Sequence, residues 1–534
     1  MAVSFDAFTT SRDTLEERIK ICSLLADLDP ENGSAYAEEL KNITTQLTIQ
    51  DGLRDVDRSR VHVDTEAVTR WAERHLTEDF LRYRDLLKAH IGFGSLEEFQ
   101  TAMRRLGEGD RSSVEQFLHY PEQEGDDLLI DTFEEIKREY LLNPDYGLDA
   151  YLSMRIRHGS LAGHLRGPLE ERDFIVTKDD NDSNYRENTA LTNRLHPPPW
   201  ELPGIFNAFR EFSKRYDEII EDLTKNRLQI RRAEKPLGMF SLPLELNPLS
   251  IHYVRSHIHE TTTFSEFLDL AFGGIEILLH QCLIAVRDYI VTTVKQQVES
   301  AFETLRVSLS IDTSVSTYGR LNSEIADAIP EVQAAIGRIA EWFEPVEKQQ
   351  VKLRTFEDVV EIGIAVTRLA HRGFSPKIEK DIEVIGVRSA VALSEFNDIF
   401  FTILDNVHAH SGNKVSPWVK LRVWTEPFDT GKRVLRIRVE SEVAEGAYSD
   451  TAADKLSRIR RQMESGEYRK HVNLEGGTGL LKLKRYTSLD ELQKVTVDFI
   501  GHNVFFVELR LLFKFVRVAQ TDYISHGPYE GTNS

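Results

Sequence analysis

The segment Glu395-Phe-Asn-Asp-Ile-Phe-Phe-Thr-Ile-Leu-Asp-Asn-Val-His-Ala-His-Ser-Gly412 decides how the last third of this chain is read. Phe396, Ile399, Phe400, Ile403, Leu404 and Val407 recur at steps of three and four residues, so they form one apolar stripe along an α-helix. Asp398, Asp405 and Asn406 fall at or beyond the edge of that stripe. An asparagine near the end of such a helix can offer a neutral oxygen to Mg²⁺, a cation that keeps several waters and takes phosphate oxygens beside a few protein ligands.

Seventy residues further on, Glu475-Gly-Gly-Thr-Gly-Leu-Leu-Lys-Leu-Lys-Arg485 supplies a glycine loop that runs straight into a helical pattern. Glycine lets backbone amides approach a phosphate closely, and a helix N-terminus adds positive potential. Short β-type runs alternate with helices around these two elements: 350–354, 377–384, 418–424, 434–440, 495–499 and 504–512. Residues 346–516 therefore read as an α+β domain. The segment 517–534 reads as a polar, flexible tail.

The order of these elements resembles the ATP-binding domain of the GHKL superfamily, the Bergerat type of ATPase fold, and is most similar to its histidine-kinase branch. Leu404-Asp-Asn-Val-His-Ala-His-Ser411 matches that family's N box, which makes Asn406 the implied Mg²⁺ ligand. Gly476, Gly477, Thr478 and Gly479 match the glycine box that wraps the triphosphate, and Lys482 stands where a family member contacts phosphate. The resemblance implies an α+β sandwich that binds ATP with Mg²⁺.

Three departures qualify what the resemblance implies. The family's Asp-x-Gly-x-Gly box, whose Asp meets the adenine amino group, has no counterpart after Val434-Leu-Arg-Ile-Arg-Val-Glu440; Glu440, or Glu442 beyond it, is the replacement on offer. The catalytic Glu of hydrolysing members is replaced by Thr402, and a hydroxyl is a poor base near neutral pH. A slow ATPase or a pure binder is expected. Histidine kinases carry an acceptor His followed by Glu or Asp and then a Pro; neither His259-Glu260 nor His280-Gln281 continues in that way, so histidine kinase activity is not expected.

The first two thirds read as all-α. Residues 1–140 form a helical domain, with stripes such as Leu15, Ile19, Leu24 and Trp71, Ala72, Leu76, Phe80. Residues 141–255 form a second helical region interrupted by the turn-rich loop Lys178–Asn184 and by Pro197-Pro-Pro-Trp200. Residues 256–345 read as a long helix pair turning near 313–319, similar to the dimerisation helices of histidine kinases, which implies a homodimer or a protein partner.

Arg157, His158 and His164 make a second constellation. On one continuous helix Arg157 and His164 lie two turns apart on one face. The pattern loosely resembles the motif of HEPN ribonucleases, which implies metal-free RNA cleavage with His as acid or base and Arg at the phosphate. A buried polar contact is the plainer expectation.

Composition bounds the rest. The chain has 534 residues, 41% hydrophobic and 29% charged, with a formal net charge of −21. That length suits three or four domains at roughly 150 residues each. Such an acidic surface disfavours non-specific coating of nucleic acid. The two cysteines cannot make a disulfide framework. No uninterrupted apolar span and no signal peptide are visible, so a cytoplasmic protein without membrane contact is expected. The leading expectation is a nucleotide-controlled switch, slow or inactive in hydrolysis, in bacterial signalling or anti-phage defence. The alternatives are an ATP-gated ribonuclease and a scaffold with a degenerate nucleotide fold.

Overall fold

The computed structural model describes residues 11–88, 96–118, 124–157, 159–179, 182–242, 248–345, 354–371, 373–384, 387–389, 393–413, 415–429, 432–444, 449–470, 479–487, 493–514 and 516–517. The chain divides into two compact units. One holds residues 61–345, and the other joins residues 1–60 to 346–471 and 476–534. The first cut falls inside the segment 1–140 that reads as a single helical domain.

The first helices, α1 (Ser11–Leu28) and α2 (Gly33–Arg58), form an antiparallel hairpin. Arg12 pairs with Asp51 and Arg18 with Glu39 across it.

The unit 61–345 is helical. It contains α3 (Thr65–His75), α4 (Thr77–Leu86), α5 (Leu96–Gly107), α6 (Glu124–Leu142), α7 (Leu148–Leu152), α8 (Ser160–Glu170), α9 (Thr189–Leu195), α10 (Leu202–Asp222), α11 (Pro248–His257), α12 (Phe264–Tyr289), α13 (Lys295–Asp312) and α14 (Val315–Glu341). Part of the loop expected at 178–184 forms a small hairpin of β1 (Lys178–Asp179) and β2 (Asp182–Tyr185). The core is built from amphipathic stripes, as in α10, where Phe209, Phe212, Tyr216, Ile219 and Ile220 are all buried. The expected long pair is present. A capping box between Thr263 and Glu266 starts α12. A π-helical turn, Ile290–Val294, joins α12 to α13, and the chain reverses at 313–314.

Among the described residues the stretch Phe264–Asp312 is long and apolar enough, by length and composition, to cross a membrane. Glu276, Arg287 and Asp288 lie along it, and Phe267, Ala271 and Ile275 pack into the helical core.

The second unit is built on a five-stranded mixed sheet in the order β4-β6-β7-β9-β8. A short β3 (Arg354–Thr355) leads into α15 (Phe356–Ala370), followed by β4 (Lys377–Ile382), β5 (Val387–Ser389) and α16 (Leu393–His410). Then come β6 (Trp418–Asp429), β7 (Lys432–Glu442), α17 (Asp450–Ser465), α18 (Gly479–Leu483), β8 (Lys494–Ile500), β9 (Val504–Lys514) and β10 (Val516–Arg517). Strand β4 runs parallel to β6, and the other neighbours are antiparallel. Strands β10, β5 and β3 make a separate three-stranded sheet.

Alternation explains the layers. Leu421 and Val423, Ile437 and Val439, and Val507 and Leu509 face inward, between charged residues that face out. Outside, the sheet carries paired charges: Arg436 and Arg438 both bind Glu508, and Arg422 binds Asp381 and Glu383. Helices α15 and α16 cross closely enough that a β-carbon at Gly363 would sit 2.9 Å from that of Phe400. Helix α2 then covers α15. Val56 shares a cluster with Ile362, Val366, Ala370 and Phe401, a β-carbon at Gly52 would collide with Ile362, and Asp55 pairs with Arg354.

Candidate functional site

Helix α16 presents Asn406 at its last turn but one. The Asn406 side chain donates from Nδ2 to the carbonyl of Thr402 at 2.6 Å. That bond fixes the amide, so Oδ1 is the acceptor that remains. Gly479, the first residue of α18, packs against it: a β-carbon there would lie 2.9 Å from Asn406 Nδ2 and 3.6 Å from Thr402 Cγ2. Tyr486 ties the segment after α18 back to the same helix, donating to Asp398 Oδ2 at 2.9 Å. The structure thus brings together Asn406 and Gly479, two residues singled out from sequence. Gly476, Gly477 and Thr478 lie outside the described residues.

Asn406 opens onto a cavity of about 470 Å³. Its walls are α16 (Ile403, Val407, His410), β7 (Val439, Ser441, Glu442), β9 with the end of β8 (Phe499, Phe505, Val507), the inner face of α17 (Lys455, Leu456, Ile459) and Leu480. Helix α17 is capped at its start by Ser449, whose hydroxyl accepts from Ala452 N, and at its end by Gly466 in the left-handed region. Arg460 anchors it by donating to the Val497 carbonyl and pairing with Asp498. The lining is mostly apolar with a few polar groups, the composition of a small-molecule site.

Two polar groups stand out. Glu442 Oε1 is buried and has no hydrogen-bond partner among the described residues. A buried acceptor of this kind costs free energy until a donor reaches it. Burial, together with the charge of Lys455, holds the imidazole of His410 below its ordinary value, so the neutral ring prevails near pH 7.

Among the described residues no group of three or more His, Cys, Asp or Glu side chains could hold a metal ion. The donor offered by α16 is a single neutral amide oxygen. It fits Mg²⁺ that arrives with phosphate and keeps its waters, and does not fit a cation caged by protein alone.

Other sequence candidates lie elsewhere. Glu440 is on the outer face of the sheet, where Arg438 donates to it at 2.7 Å; it does not line the cavity. Lys482 is fully buried and also absent from the cavity wall. Of the cations on α17, Lys455 lines the cavity, and Arg458 and Arg461 do not. Sequence reasoning missed Val439, Ser441, Phe499 and Phe505, although strand alternation in β7, β8 and β9 carries that signal.

The Arg157–His164 constellation does not form one helical face. A π-helical turn, Ser153–Arg157, is followed by Gly159 at φ 83°, and α8 starts afresh at Ser160. Arg157 is buried, donating to Asp149 Oδ1 at 2.8 Å and to the Asp149 carbonyl at 2.9 Å, and bonding Gln229 as well. His164 is buried too, with Nδ1 against the Ser160 carbonyl and its ring edge-on to Trp342. His158 lies outside the described residues. As they stand, Arg157 and His164 are core groups out of reach of an RNA phosphate.

Comparison with known proteins fits this division. The family model Y4jQ matches residues 70–343, about half of the chain, and a second model, "y4jQ C-terminal putative histidine kinase domain", matches residues 355–514. The uncharacterized protein y4jQ of Sinorhizobium fredii is 24% identical over 96% of this chain and 48% of its own length. The Detocs histidine-protein kinase DtcA of Vibrio alginolyticus is 21% identical over 86% of this chain and 42% of its own length. DtcA of Enterobacter cloacae is 19% identical over 68% and 31%. The chain spans half or less of the length of these relatives.

Proposed function

The chain belongs to the Y4jQ family, and on that footing we propose that its C-terminal, histidine-kinase-like domain binds ATP with Mg²⁺ as a nucleotide-controlled switch. The observation that carries this reading is the cavity at α16: an apolar slot with Asn406 in its wall and a buried Glu442 oxygen that has no hydrogen-bond partner among the described residues. The base would lie between Val407, Leu456 and Phe505, and its amino group would satisfy Glu442. Asn406 would hold Mg²⁺, which when bound neutralises phosphate charge. Gly479 would let the preceding glycine loop come close to the phosphates. On this reading the site would resemble that of the GHKL superfamily, with Glu442 in place of the missing Asp.

Binding is better supported than turnover. Thr402 is buried and its carbonyl is engaged by Asn406, so no base stands where hydrolysing relatives place one. Slow hydrolysis or none is the expectation. Ordering a lid by nucleotide contacts is an established switching route, and α17, which lines the cavity, is the proposed lid. The names of the DtcA relatives, histidine-protein kinases, support a role in histidine-kinase-like signalling, and anti-phage defence is part of this proposal. The long helices α12 to α14 are the proposed site of dimerisation.

Titration calorimetry with ATP, with and without Mg²⁺, tests the reading, with product analysis to quantify hydrolysis. Saturable, Mg²⁺-enhanced binding that is lost in Asn406→Ala is expected. Absence of binding by the wild-type chain would leave the degenerate-scaffold alternative.

A further inference from the structure

The turn of α16 that carries Asn406 is held by a group that the nucleotide reading does not use. His371 caps the C-terminus of α15 and donates from Nε2 to Asp405 Oδ1 at 2.7 Å. Its ring stacks on His408 with centroids 4.2 Å apart and planes 22° apart. Phe374 packs edge-on to both rings. His371 thus grips the residue before Asn406 and the residue two after it. Neither His371 nor Asp405 lines the cavity.

The same ring faces the other way. His371 lies parallel to Phe401, 13° between planes and 6.2 Å between centroids. Phe401 belongs to the cluster of Val56, Ile362, Val366 and Ala370, in which Val56 comes from α2. A continuous run of packed side chains therefore leads from α2 to the turn of α16 that carries Asn406. Groups behind a ligating residue fix its aim, and their removal typically costs about 10–100-fold in metal affinity.

We infer that His371 is a positioning residue for the Mg²⁺-nucleotide site, and that α2 supports the site through the cluster that joins Val56 to Phe401, and through Phe401 to His371. This rests on the proposed nucleotide reading. Positioning acts on the metal-dependent part of binding, because the base slot is built from other walls. His371 contributes direction and no charge transfer, so an amide that keeps a donor near Asp405 serves in part.

The test uses the full chain and measures affinities for ATP with Mg²⁺, ATP with a chelator, and adenosine. His371→Ala is expected to weaken Mg²⁺-ATP binding by about tenfold, and to leave adenosine binding within about twofold. His371→Gln should recover part of the loss. Val56→Ala should shift Mg²⁺-ATP binding in the same direction by a smaller factor. Unchanged adenosine affinity reports an intact domain, so a general folding defect shows as loss of both ligands. Mg²⁺-ATP affinity unaltered in His371→Ala, with Asn406→Ala still defective, overturns this inference and leaves the nucleotide reading standing. Equal loss of adenosine and Mg²⁺-ATP also overturns it, in favour of a purely structural role. A wild-type chain that binds no nucleotide removes the reading on which it rests.

Discussion

Gly479 and Asn406 touch so closely that any side chain at 479 must displace the Asn406 amide: the added β-carbon would sit 2.9 Å from Nδ2. The N-terminus of α18 and the last turns of α16, far apart in sequence, are locked together at this contact. The glycine is required by close approach, since Gly479 is not among the glycines with positive φ.

Gly479→Ala is therefore expected to fold while losing the hydrogen bond from Asn406 to Thr402. Mg²⁺-ATP affinity should fall by about tenfold, an effect of the size seen when a supporting contact at a metal site is lost. Calorimetry beside a thermal melt checks this. Affinity equal to wild type would show that the contact does not set the Asn406 geometry.

Glu442 and Glu440 should separate cleanly. Glu442→Ala removes the buried acceptor, and adenine-nucleotide affinity is expected to drop by about tenfold, the cost of a hydrogen bond to a charged group. Glu440→Gln breaks an outer-face pair with Arg438 and should change affinity by less than about twofold, because Glu440 does not line the cavity. A competition assay with a fluorescent ATP analogue distinguishes them. The reverse ranking would move the base-reading role to the other face of β7.

Arg157 is expected to behave as a core residue. Arg157→Ala leaves Asp149 buried without its partner, a change that costs about 3–5 kcal/mol in other buried pairs. The melting temperature of the helical unit should fall sharply in differential scanning calorimetry. A variant that melts like wild type yet abolishes cleavage of added RNA would reinstate a catalytic role.

Asp126 predicts a pH dependence. Both its oxygens are buried without a hydrogen-bond partner among the described residues, and Arg255 approaches only to 3.9 Å. Burial pushes the carboxyl up to about 6, partly offset by Arg255 and reinforced by Asp127. The folded value lies above the unfolded one of about 3.9, so the folded state holds a proton that the unfolded state releases. The stabilisation is complete below the unfolded value, declines as pH rises towards 6, and is gone above it. Asp126→Asn should flatten that part of the profile of melting temperature against pH. An unchanged slope would assign the dependence to other groups.

Much of the fold was legible in the sequence because periodicity is local. The stripe Phe396–Val407 fixed α16 and put Asn406 near its end, and alternation in 434–440 and 504–512 announced β7 and β9. The helix pair was visible for the same reason, down to its turn near 313. Other features were not local. The Arg157–His164 spacing presumed one helix, but Gly159 interrupts it, and burial among Asp149, Gln229 and Trp342 depends on partners distant in the chain. Nothing in residues 11–60 signals that α2 covers α15, because the match between Gly52 and Ile362 exists only once both helices have formed.

Spacing and composition alone settle most element types and the acidic balance, and it is the resemblance to the N box that singles out Asn406. The choice between Glu440 and Glu442 belongs to the folded chain. Both have the same parity along β7, so alternation assigns them one face. At Glu442 the strand ends and the backbone leaves the sheet, with Val443 bonding to Asn503 and Ala444 to His410. That departure places Glu442 in the cavity wall while Glu440 stays paired with Arg438 outside. The geometry of a strand end is set by what it packs against, and that information is spread over residues that meet only after folding.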